Sequence, residues 1–424
     1  MVCGPGCPKE CTHDFKLGHH SLNVVPIYKY LGTEVNLTGT DFSSFILSKW
    51  KKVRARLAKT RRVGGHLDGL CPVEARKLYK SQIRPIIEFG TVVLPYKSKI
   101  LKELERMQSM CIRQMFGFYR HTKYETMLVL SGLCSIKSRV AQLKLCFFNK
   151  LNTFGADLYL SKLISKSLAR PASSATGLRA DLIAIHREWS KFQPFVRDMG
   201  PYSSFNKFEF EQKVFSKNCK LSMEESDLLN CMEKLKHSTE NGSGQAQHVF
   251  RYTSMEFPSV CPLVLFMPRR RRFRTLFLNA LSGCDFITPY NFQNKPECVF
   301  CKQKKVGWKH LLFDCKKRPG GCTLTKKWEN KLSELTKHNG DSHKAKCLVS
   351  VATNSLETLR EILKLGNSEK LLDFAYGFSS HENLVQKPLR FIPIINCIGE
   401  ITGAELYSVQ QEWIDKLASL HADL

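Results

Sequence analysis

Apolar residues recur at intervals of three and four along most of this chain, which is the period of helices with one face in a core. The clearest stretch begins near residue 42, where Phe45, Ile46, Trp50, Val53 and Leu57 fall on one side. Related patterns predict further helices over residues 72–87 with a kink or split at Pro85, 98–116, 125–130, 136–151, 178–197, 206–218, 222–237, 268–283, 345–378 and 404–420. The pattern as a whole predicts a mainly α fold.

The N-terminal part of the chain departs from the helical period. Residues 22–37 are rich in β-branched and aromatic side chains, and Gly32 interrupts them. Such a stretch is typical of two short strands joined at a turn or bulge. We therefore expect a short N-terminal β hairpin ahead of the helices.

Breaks in these patterns divide the 424 residues into five segments. The most flexible break is the sequence NGSGQ at 241–245. The predicted segments are a β segment at 1–40, a compact helical domain at 41–152, a helical connector at 153–260, a module of a basic helix and a cysteine-rich knuckle at 261–330, and C-terminal helices at 331–424.

The charge of the chain narrows the choice of partners. Its 65 Lys and Arg residues outnumber 38 Asp and Glu, which gives a net charge of +27. Such an excess favours polyanions, because cations that meet phosphates release bound counterions. Acidic membranes are the competing partner, but no apolar run approaches the ~18 residues that a span needs. We therefore expect RNA and/or DNA as the partner and no membrane.

The first residues of the chain bear on its location. Residues 1–8 lack the apolar segment that signal peptides carry. We therefore expect a nuclear or cytoplasmic protein that is not secreted. In such compartments the 17 cysteines are expected to be reduced thiols, a few of them on a metal.

The first predicted helix carries basic residues opposite its apolar side, and no acidic residue lies between positions 42 and 67. A solvated charged face is the ordinary explanation, but the missing acids favour phosphate contact. A second basic stretch begins with four arginines at 269–272. The candidate nucleic-acid-binding residues are Lys49, Lys52, Arg56, Lys59, Arg61, Arg62, Arg269, Arg270, Arg271, Arg272, Arg274, Lys304, Lys305 and Lys309.

Three cysteines and one histidine, Cys298, Cys301, His310 and Cys315, have the spacing C-x2-C-x8-H-x4-C. The first pair can point into one tight turn, and the second pair can lie on one short helical turn or at its end. Three thiolates and an imidazole are a ligand set for tetrahedral zinc, and four protein ligands leave no position open for water. We therefore predict one structural zinc ion, with four unrelated residues as the alternative.

The residues around the second ligand pair are apolar, and we expect Trp308, Leu311, Leu312 and Phe313 to form a small cap over the metal. Trp308 stacked on a base is the alternative to core packing. A second group, at Cys3, Cys7, Cys11, His13, His19 and His20, fits knuckle spacing poorly, and surface thiols are its ordinary explanation.

Several short segments, in this order, resemble the reverse transcriptases of non-LTR (LINE-type, jockey-like) retrotransposons. The matching segments are residues 28–32 (YKYLG), 78–90 (LYKSQIRPIIEFG), 104–108 (LERMQ), 113–117 (RQMFG), 130–133 (LSGL) and 274–283 (RTLFLNALSG), followed by the CCHC spacing. Phe89 stands where the family has Tyr. The resemblance implies the end of a palm, a helical thumb-like bundle and the C-terminal zinc knuckle.

The resemblance does not extend to the catalytic residues of that family. Its polymerases hold two divalent metals with palm aspartates that include a Tyr/Phe-x-Asp-Asp turn, and this chain contains no Asp-Asp pair. The chain begins at about the point where that turn would have passed. We also find no P-loop and no metalloprotease or hydrolase signature. The resemblance therefore implies a chain without catalytic residues of its own.

The function that these observations predict is nucleic-acid binding by the C-terminal part of a retrotransposon reverse transcriptase that does not polymerise alone. One alternative is the accessory part of a split active enzyme, which would need a separate palm-bearing polymerase chain as partner. The other is a non-catalytic zinc-finger interaction protein, in which the basic helix would be packed and not open to a duplex.

Overall fold

The computed structural model of the chain is mainly helical, as the apolar period predicts. It describes residues 16–17, 19–21, 27–30, 33–36, 39–40, 42–62, 70–152, 177–190, 212–240, 271–282, 297–303, 308–321, 323–337, 343–366, 371, 374 and 392–422. Its helices are α1 (Phe42–Arg62), α2 (Pro72–Leu78), α3 (Arg84–Glu88), α4 (Ser98–Phe116), α5 (Tyr124–Ser131), α6 (Ile136–Asn152), α7 (Gly177–Trp189), α8 (Gln212–Glu240), α9 (Arg271–Leu281), α10 (Leu324–Thr336), α11 (His343–Leu365) and α12 (Ile392–Ala422).

Short strands precede the first helix. They are β1 (Lys16–Leu17), β2 (His20–Ser21), β3 (Ile27–Tyr30), β4 (Thr33–Asn36) and β5 (Gly39–Thr40). β1 pairs with β2, and β4 lies between β3 and β5, all antiparallel. The side chains of β3, β4 and β5 lie outside the described residues, so the interpretation of this segment as the remnant of a palm stays a prediction.

The predicted split at Pro85 is present as a change of helix type. Between α2 and α3 the backbone forms a π-helical turn, Tyr79–Ile83. Proline has no N–H to donate to the preceding turn, and its ring crowds the carbonyl four residues back. The wider π turn lets the chain enter α3 with Pro85 in its first turn.

The chain folds into two compact units, each made of separate segments. The first unit comprises Met1–Arg61, Lys80–Gln108 and Ser135–Asp227, and the second comprises Arg62–Tyr79, Ser109–Cys134 and Leu228–Leu424. This grouping differs from the five consecutive segments predicted from sequence, since the predicted helical domain at 41–152 contributes to both units.

The first unit has an apolar core with a buried ion pair. On α1 the core side chains include Phe45, Val53 and Leu57, all under one tenth exposed. Lys144 of α6 is buried and donates to Asp181 of α7 over 2.7 Å. The same ammonium also donates to a backbone carbonyl at 2.7 Å, so this buried charge is paired and hydrogen-bonded as its desolvation requires.

The start of α6 is held by side chains from distant parts of the first unit. The buried carboxylate of Asp227 accepts from the backbone N–H of Ser135 at 2.6 Å and from its hydroxyl at 2.5 Å. Ser135 in turn accepts from the N–H of Ser138 at 3.1 Å, and Gln108 accepts from the N–H of Ile136 at 2.7 Å. These bonds satisfy first-turn donors that a helix cannot pair internally.

The second unit is built around its last helix. α12 packs against α9, α10 and α11 and against the turn that carries the candidate metal ligands. Gly403 permits the approach to α9, because a Cβ there would lie 2.6 Å from the Cβ of Phe273. On the α10 side the core is aromatic, with the rings of Trp328 and Phe374 both buried and 5.3 Å apart.

Several predicted helix boundaries are wrong. Residues 212–218 of the helix predicted at 206–218 and the helix predicted at 222–237 form one continuous helix, α8, because no Gly or Pro lies between them to end the first. The C-terminal helix predicted at 404–420 begins earlier, at Ile392. None of the helices that the structure describes combines the length and apolar character that crossing a bilayer requires.

Candidate metal centre and basic surface

The first ligand pair lies in a tight knuckle. The N–H of Lys302 donates to the carbonyl of Cys298 at 2.8 Å, and the N–H of Cys298 donates to the carbonyl of Gln303 at 2.9 Å. These two bonds close the turn, so that both Cys298 and Cys301 can point into it. Lys302 has a φ of 61°, the left-handed region that residues with a Cβ rarely adopt.

The second ligand pair lies on a π-helical turn, His310–Asp314, that ends at Cys315. The N–H of Cys315 donates to the carbonyl of His310 at 2.7 Å, a bond between residues five apart. This bond brings the start and the end of the turn together. The prediction that one short helical turn supplies both ligands is therefore confirmed, with the wider π turn in place of an α turn.

The four side chains meet at one point. Their ligand atoms all lie within 4.8 Å of one another. The Sγ atoms of Cys298 and Cys315 are 3.7 Å apart, and Sγ of Cys301 is 3.2 Å from Nε2 of His310. Two thiolates bound tetrahedrally at ~2.3 Å from one zinc ion would be about 3.8 Å apart. The donor set and its spacing therefore fit a tetrahedral metal ion.

The protonation of the cluster is consistent with cation binding. Burial acts to raise the pKa of the Cys301 thiol, but a hydrogen bond from Gln303, the neighbouring thiols and the charge of Lys317 together outweigh it and lower that pKa. Burial and the neighbouring thiols raise the pKa of Cys315 to about 12. Thiolates packed this closely repel one another unless a cation lies among them.

The histidine is suited to bind a metal through Nε2. Burial lowers the pKa of His310, against the opposing charge of Asp314, and so favours the neutral imidazole that binds metals. Its Nδ1 is buried and has no hydrogen-bond partner among the described residues. Nε2, beside Cys301, is therefore the ring nitrogen that belongs to the cluster.

The predicted apolar cap is confirmed. Trp308, Leu311 and Leu312 are buried, and the ring of Phe313 lies 6.0 Å from that of Trp328 on α10. Burial of Trp308 to 4% exposure favours core packing over base stacking for this indole. In the knuckle, the ring of Phe300 meets Trp413 of α12 edge-on at 5.9 Å.

An ion-pair network that the sequence did not predict anchors the centre to α12. The side chain of Arg318 is fully buried and pairs with Glu405, and its Nε lies 3.6 Å from Glu412. Lys327 of α10 meets the same Glu405 at 2.6 Å. A buried guanidinium requires such partners. Sequence alone gives no signal for this network, because burial of Arg318 depends on a helix that begins more than 70 residues later.

Lys49 was predicted to bind nucleic acid, and its surroundings contradict that prediction. It is 3% exposed and donates to the carbonyls of Ile86 at 2.9 Å and Ile87 at 3.0 Å, and to that of Phe89. Ile86 and Ile87 lie in the last turn of α3, where carbonyls lack partners within the helix. Lys49 is thus a C-terminal cap for α3. Burial, with a smaller repulsion from Lys52, lowers its pKa to about 7.

The rest of the predicted basic face of α1 is open to solvent as far as the structure describes it. Lys52, Arg56 and Lys59 are exposed, and so are Lys51 and Arg54 beside them. For Arg61 and Arg62 only the helical backbone is described. The described part of this face, here named the α1 basic face (Lys51, Lys52, Arg54, Arg56 and Lys59), contains no acidic residue.

The predicted basic residues near the metal cluster, from Arg269 to Lys309, differ in their surroundings and in how far the structure describes them. Arg274 is 7% exposed within α9, which packs on α12, so its prediction as a phosphate contact is wrong. Lys309 is half-buried beside the metal cluster. The remaining members lie outside the described residues or are described only as helical backbone: Arg269, Arg270, Lys304 and Lys305 in the first case, Arg271 and Arg272 in the second. The candidate second metal cluster at Cys3, Cys7, Cys11 and His13 also lies outside the described residues.

In comparisons with known proteins, no protein-family model, curated protein or solved structure matches this chain significantly.

Proposed function

We propose that this protein binds nucleic acid, that its Cys298–Cys315 cluster holds a structural zinc ion, and that it corresponds to the C-terminal part of a non-LTR retrotransposon reverse transcriptase without polymerase activity of its own. The single observation that carries the binding function is the α1 basic face. It presents five exposed cations on one helix whose sequence contains no acid.

Zinc is the metal that the cluster favours. Three thiols and one imidazole are soft and borderline ligands, which select zinc over the oxygen-preferring magnesium and calcium. Four protein ligands would fill a tetrahedral site and leave no position for substrate or water. The metal would therefore hold the knuckle and the π turn together and take no part in chemistry.

The α1 basic face supports binding through phosphates and gives no reason to expect base specificity. Lys52, Arg56 and Lys59 fall at spacings of four and three, so they share one side of the helix. Exposed cations in such a row attract a phosphate backbone, and the affinity arises from released counterions. Binding of this kind weakens steeply with salt.

The test measures affinity against salt concentration. A variant with Lys52, Arg56 and Lys59 all replaced by Gln is compared with the wild-type chain on fluorescent RNA and DNA strands, single and double, by anisotropy. If each side chain meets a phosphate, the slope of log affinity against log salt should flatten by about 2–3 units.

A charge-matched variant controls for the loss of net charge. Lys213, Lys217 and Lys220 are exposed on α8 in the same unit, and their replacement by Gln removes the same three charges. This control should change the slope far less. Equal flattening by both variants would reject the α1 basic face as the binding surface, and no binding by the wild-type chain would favour a zinc-containing protein-interaction module instead.

A further inference from the structure

Phe89 is an exposed aromatic residue for which packing gives no reason. It directly follows α3 and leaves 56% of its surface in solvent, whereas most described phenylalanines of the chain are buried or half-buried. Val93, in the same turn, is 65% exposed. Single exposed apolar side chains are common, but an aromatic and an aliphatic side chain exposed in one turn suggest a binding role.

The backbone that carries Phe89 is fixed on several sides. Its N–H donates to Pro85 at 2.9 Å, and its carbonyl accepts from the ammonium of Lys49. Gly90 follows with a φ of 71°, and a Cβ there would lie 2.8 Å from the ring of Phe45. Thr91 closes the turn, because its hydroxyl donates to the backbone carbonyl of Glu88 at 2.7 Å. The ring is thus presented by a turn with little freedom left to lose on binding.

The ring also lies at one end of the α1 basic face. The ammonium of Lys49 lies 5.9 Å from the centre of the Phe89 ring, which fixes Phe89 beside this part of α1. Lys52, Arg56 and Lys59 follow Lys49 on the same helix at three, seven and ten positions, so the row of cations leads away from the ring. The acid that precedes Phe89 in the sequence, Glu88, forms ion pairs with Arg84 at 2.9 Å and Arg139 at 2.8 Å.

We propose that Phe89 is a stacking platform for an unpaired base of a single-stranded nucleic acid whose phosphates follow the α1 basic face. The inference rests on the proposed function and specifies its ligand. Channels for single strands combine a row of cations for the backbone with aromatic side chains for the bases. A base that stacks must be unpaired, so the site would prefer single strands and strand ends to continuous duplex.

The charge around Phe89 favours a nucleobase over an apolar protein surface as the occupant. A partner protein that covered the ring would also have to cover Lys51 and Lys52 at the start of the α1 basic face. Burying those cations without counter-charges would cost more than one phenyl ring returns. A nucleic acid brings the phosphates together with the base.

The experiment compares two single strands that differ only in their bases. One is an oligothymidine of about 16 nucleotides, and the other is the same strand with abasic sugars, which keeps every phosphate. Phe89→Ala should lower affinity for the oligothymidine by about 5- to 150-fold and leave affinity for the abasic strand and the salt slope unchanged. Phe89→Trp should retain the affinity for the oligothymidine.

Phe147→Ala serves as the matched control, because it removes another partly exposed phenyl ring, 37% exposed, from α6 of the same unit. It should leave both affinities unchanged. Equal weakening of both strands by Phe89→Ala would overturn the proposal, because it would indicate a structural role, and so would no weakening of either strand. Absence of wild-type binding to both strands would instead reject the proposed function, so the two failures are distinguishable.

Discussion

At the scale of single residues, two lysines three positions apart on α1 have opposite roles. Lys52 is exposed, whereas Lys49 is buried and caps α3. The helical period contains the signal that separates them. Lys49 falls four positions after Phe45 and four before Val53, so it lies in the apolar stripe and not opposite it. A cation in such a stripe requires acceptors inside the fold, and the carbonyls at the end of α3 supply them.

The buried position of Lys49 predicts a pH-dependent stability. The pKa of Lys49 falls from 10.5 to about 7 on folding, so between these values the unfolded chain binds more protons than the folded one. The free energy of unfolding should therefore increase as pH rises through this window, and it should decrease again as pH falls to 7. Relative to Lys49→Met, which lacks the group, the wild-type chain should gain up to about 4 kcal/mol between pH 7 and 10.

Urea unfolding of both proteins at several pH values measures this difference, and thiol ionisation cancels because both proteins contain the same cysteines. Lys51→Met, at an exposed site on the same helix, is the control and should show no such trend. A wild-type advantage over Lys49→Met that stays constant with pH would contradict the argument.

Lys302 predicts a stabilising substitution. Its φ of 61° costs a residue with a Cβ about 1 kcal/mol or more, and glycine adopts the same angle freely. Because glycine also has more freedom to lose on folding, Lys302→Gly should stabilise the metal-bound knuckle by a net amount of about 0.5–1 kcal/mol.

Gln303→Gly tests whether position matters, since Gln303 is exposed and has no left-handed backbone to relieve. This neighbouring change should destabilise the knuckle. Denaturation of the metal-loaded proteins, followed by tryptophan fluorescence, distinguishes the two variants. Equal destabilisation by both would mean that the left-handed turn at Lys302 carries no strain.

At the scale of elements, the sequence predicted the structure where the local pattern of residues was complete. The bounds of α4, Ser98–Phe116, follow from its apolar stripe as predicted. The meeting of the four candidate metal ligands was also predictable, because both pairs are close in sequence and each needs only one turn to converge. The start of α12 was not predictable, since residues 392–403 are apolar on several sides and show no stripe of their own.

Removal of the metal should loosen an element beyond the knuckle itself. Purified protein should contain about one zinc ion per chain, and Cys301→Ser should lose it. Because Phe300 contacts Trp413 and the π turn packs on α12, loss of the metal should raise hydrogen exchange at 308–315 and along the facing part of α12.

Elemental analysis and hydrogen exchange by mass spectrometry measure both effects. Cys71→Ser removes a half-buried thiol outside the cluster in the same unit and should retain the metal. Full zinc content in Cys301→Ser would contradict the assignment of the ligands.

At the scale of the whole molecule, the division of the chain into two units, each made of separate segments, could not be predicted from the sequence. Composition breaks such as that at 241–245 mark flexible sequence, but each unit is assembled from three segments that are separate in the sequence. Pairs such as Ser135 with Asp227 and Arg318 with Glu405 join positions that are distant in sequence. The sequence around one member of a pair gives no indication of the other. Only the folded contacts specify such groupings.

The chain as a whole is expected to bind without polymerising. It contains no Asp-Asp pair to hold the two metal ions that activate a 3′-hydroxyl and neutralise pyrophosphate. Pure protein should therefore incorporate no nucleotide on a primed RNA template with magnesium or manganese, under conditions in which it binds that template. Template-dependent incorporation by protein free of other polymerases would refute this expectation.

The long sequence separation of Arg318 and Glu405 has a consequence during translation. A ribosome that adds roughly 5–20 residues per second needs roughly 4–17 s to make the 87 residues between them. During that interval the cysteines of the knuckle and the π turn have left the ribosome, or are leaving it, without the helix that later covers them. Nascent chains arrested before residue 392 should therefore react with thiol reagents faster at Cys298 and Cys315 than the finished protein does, because both thiols are buried there.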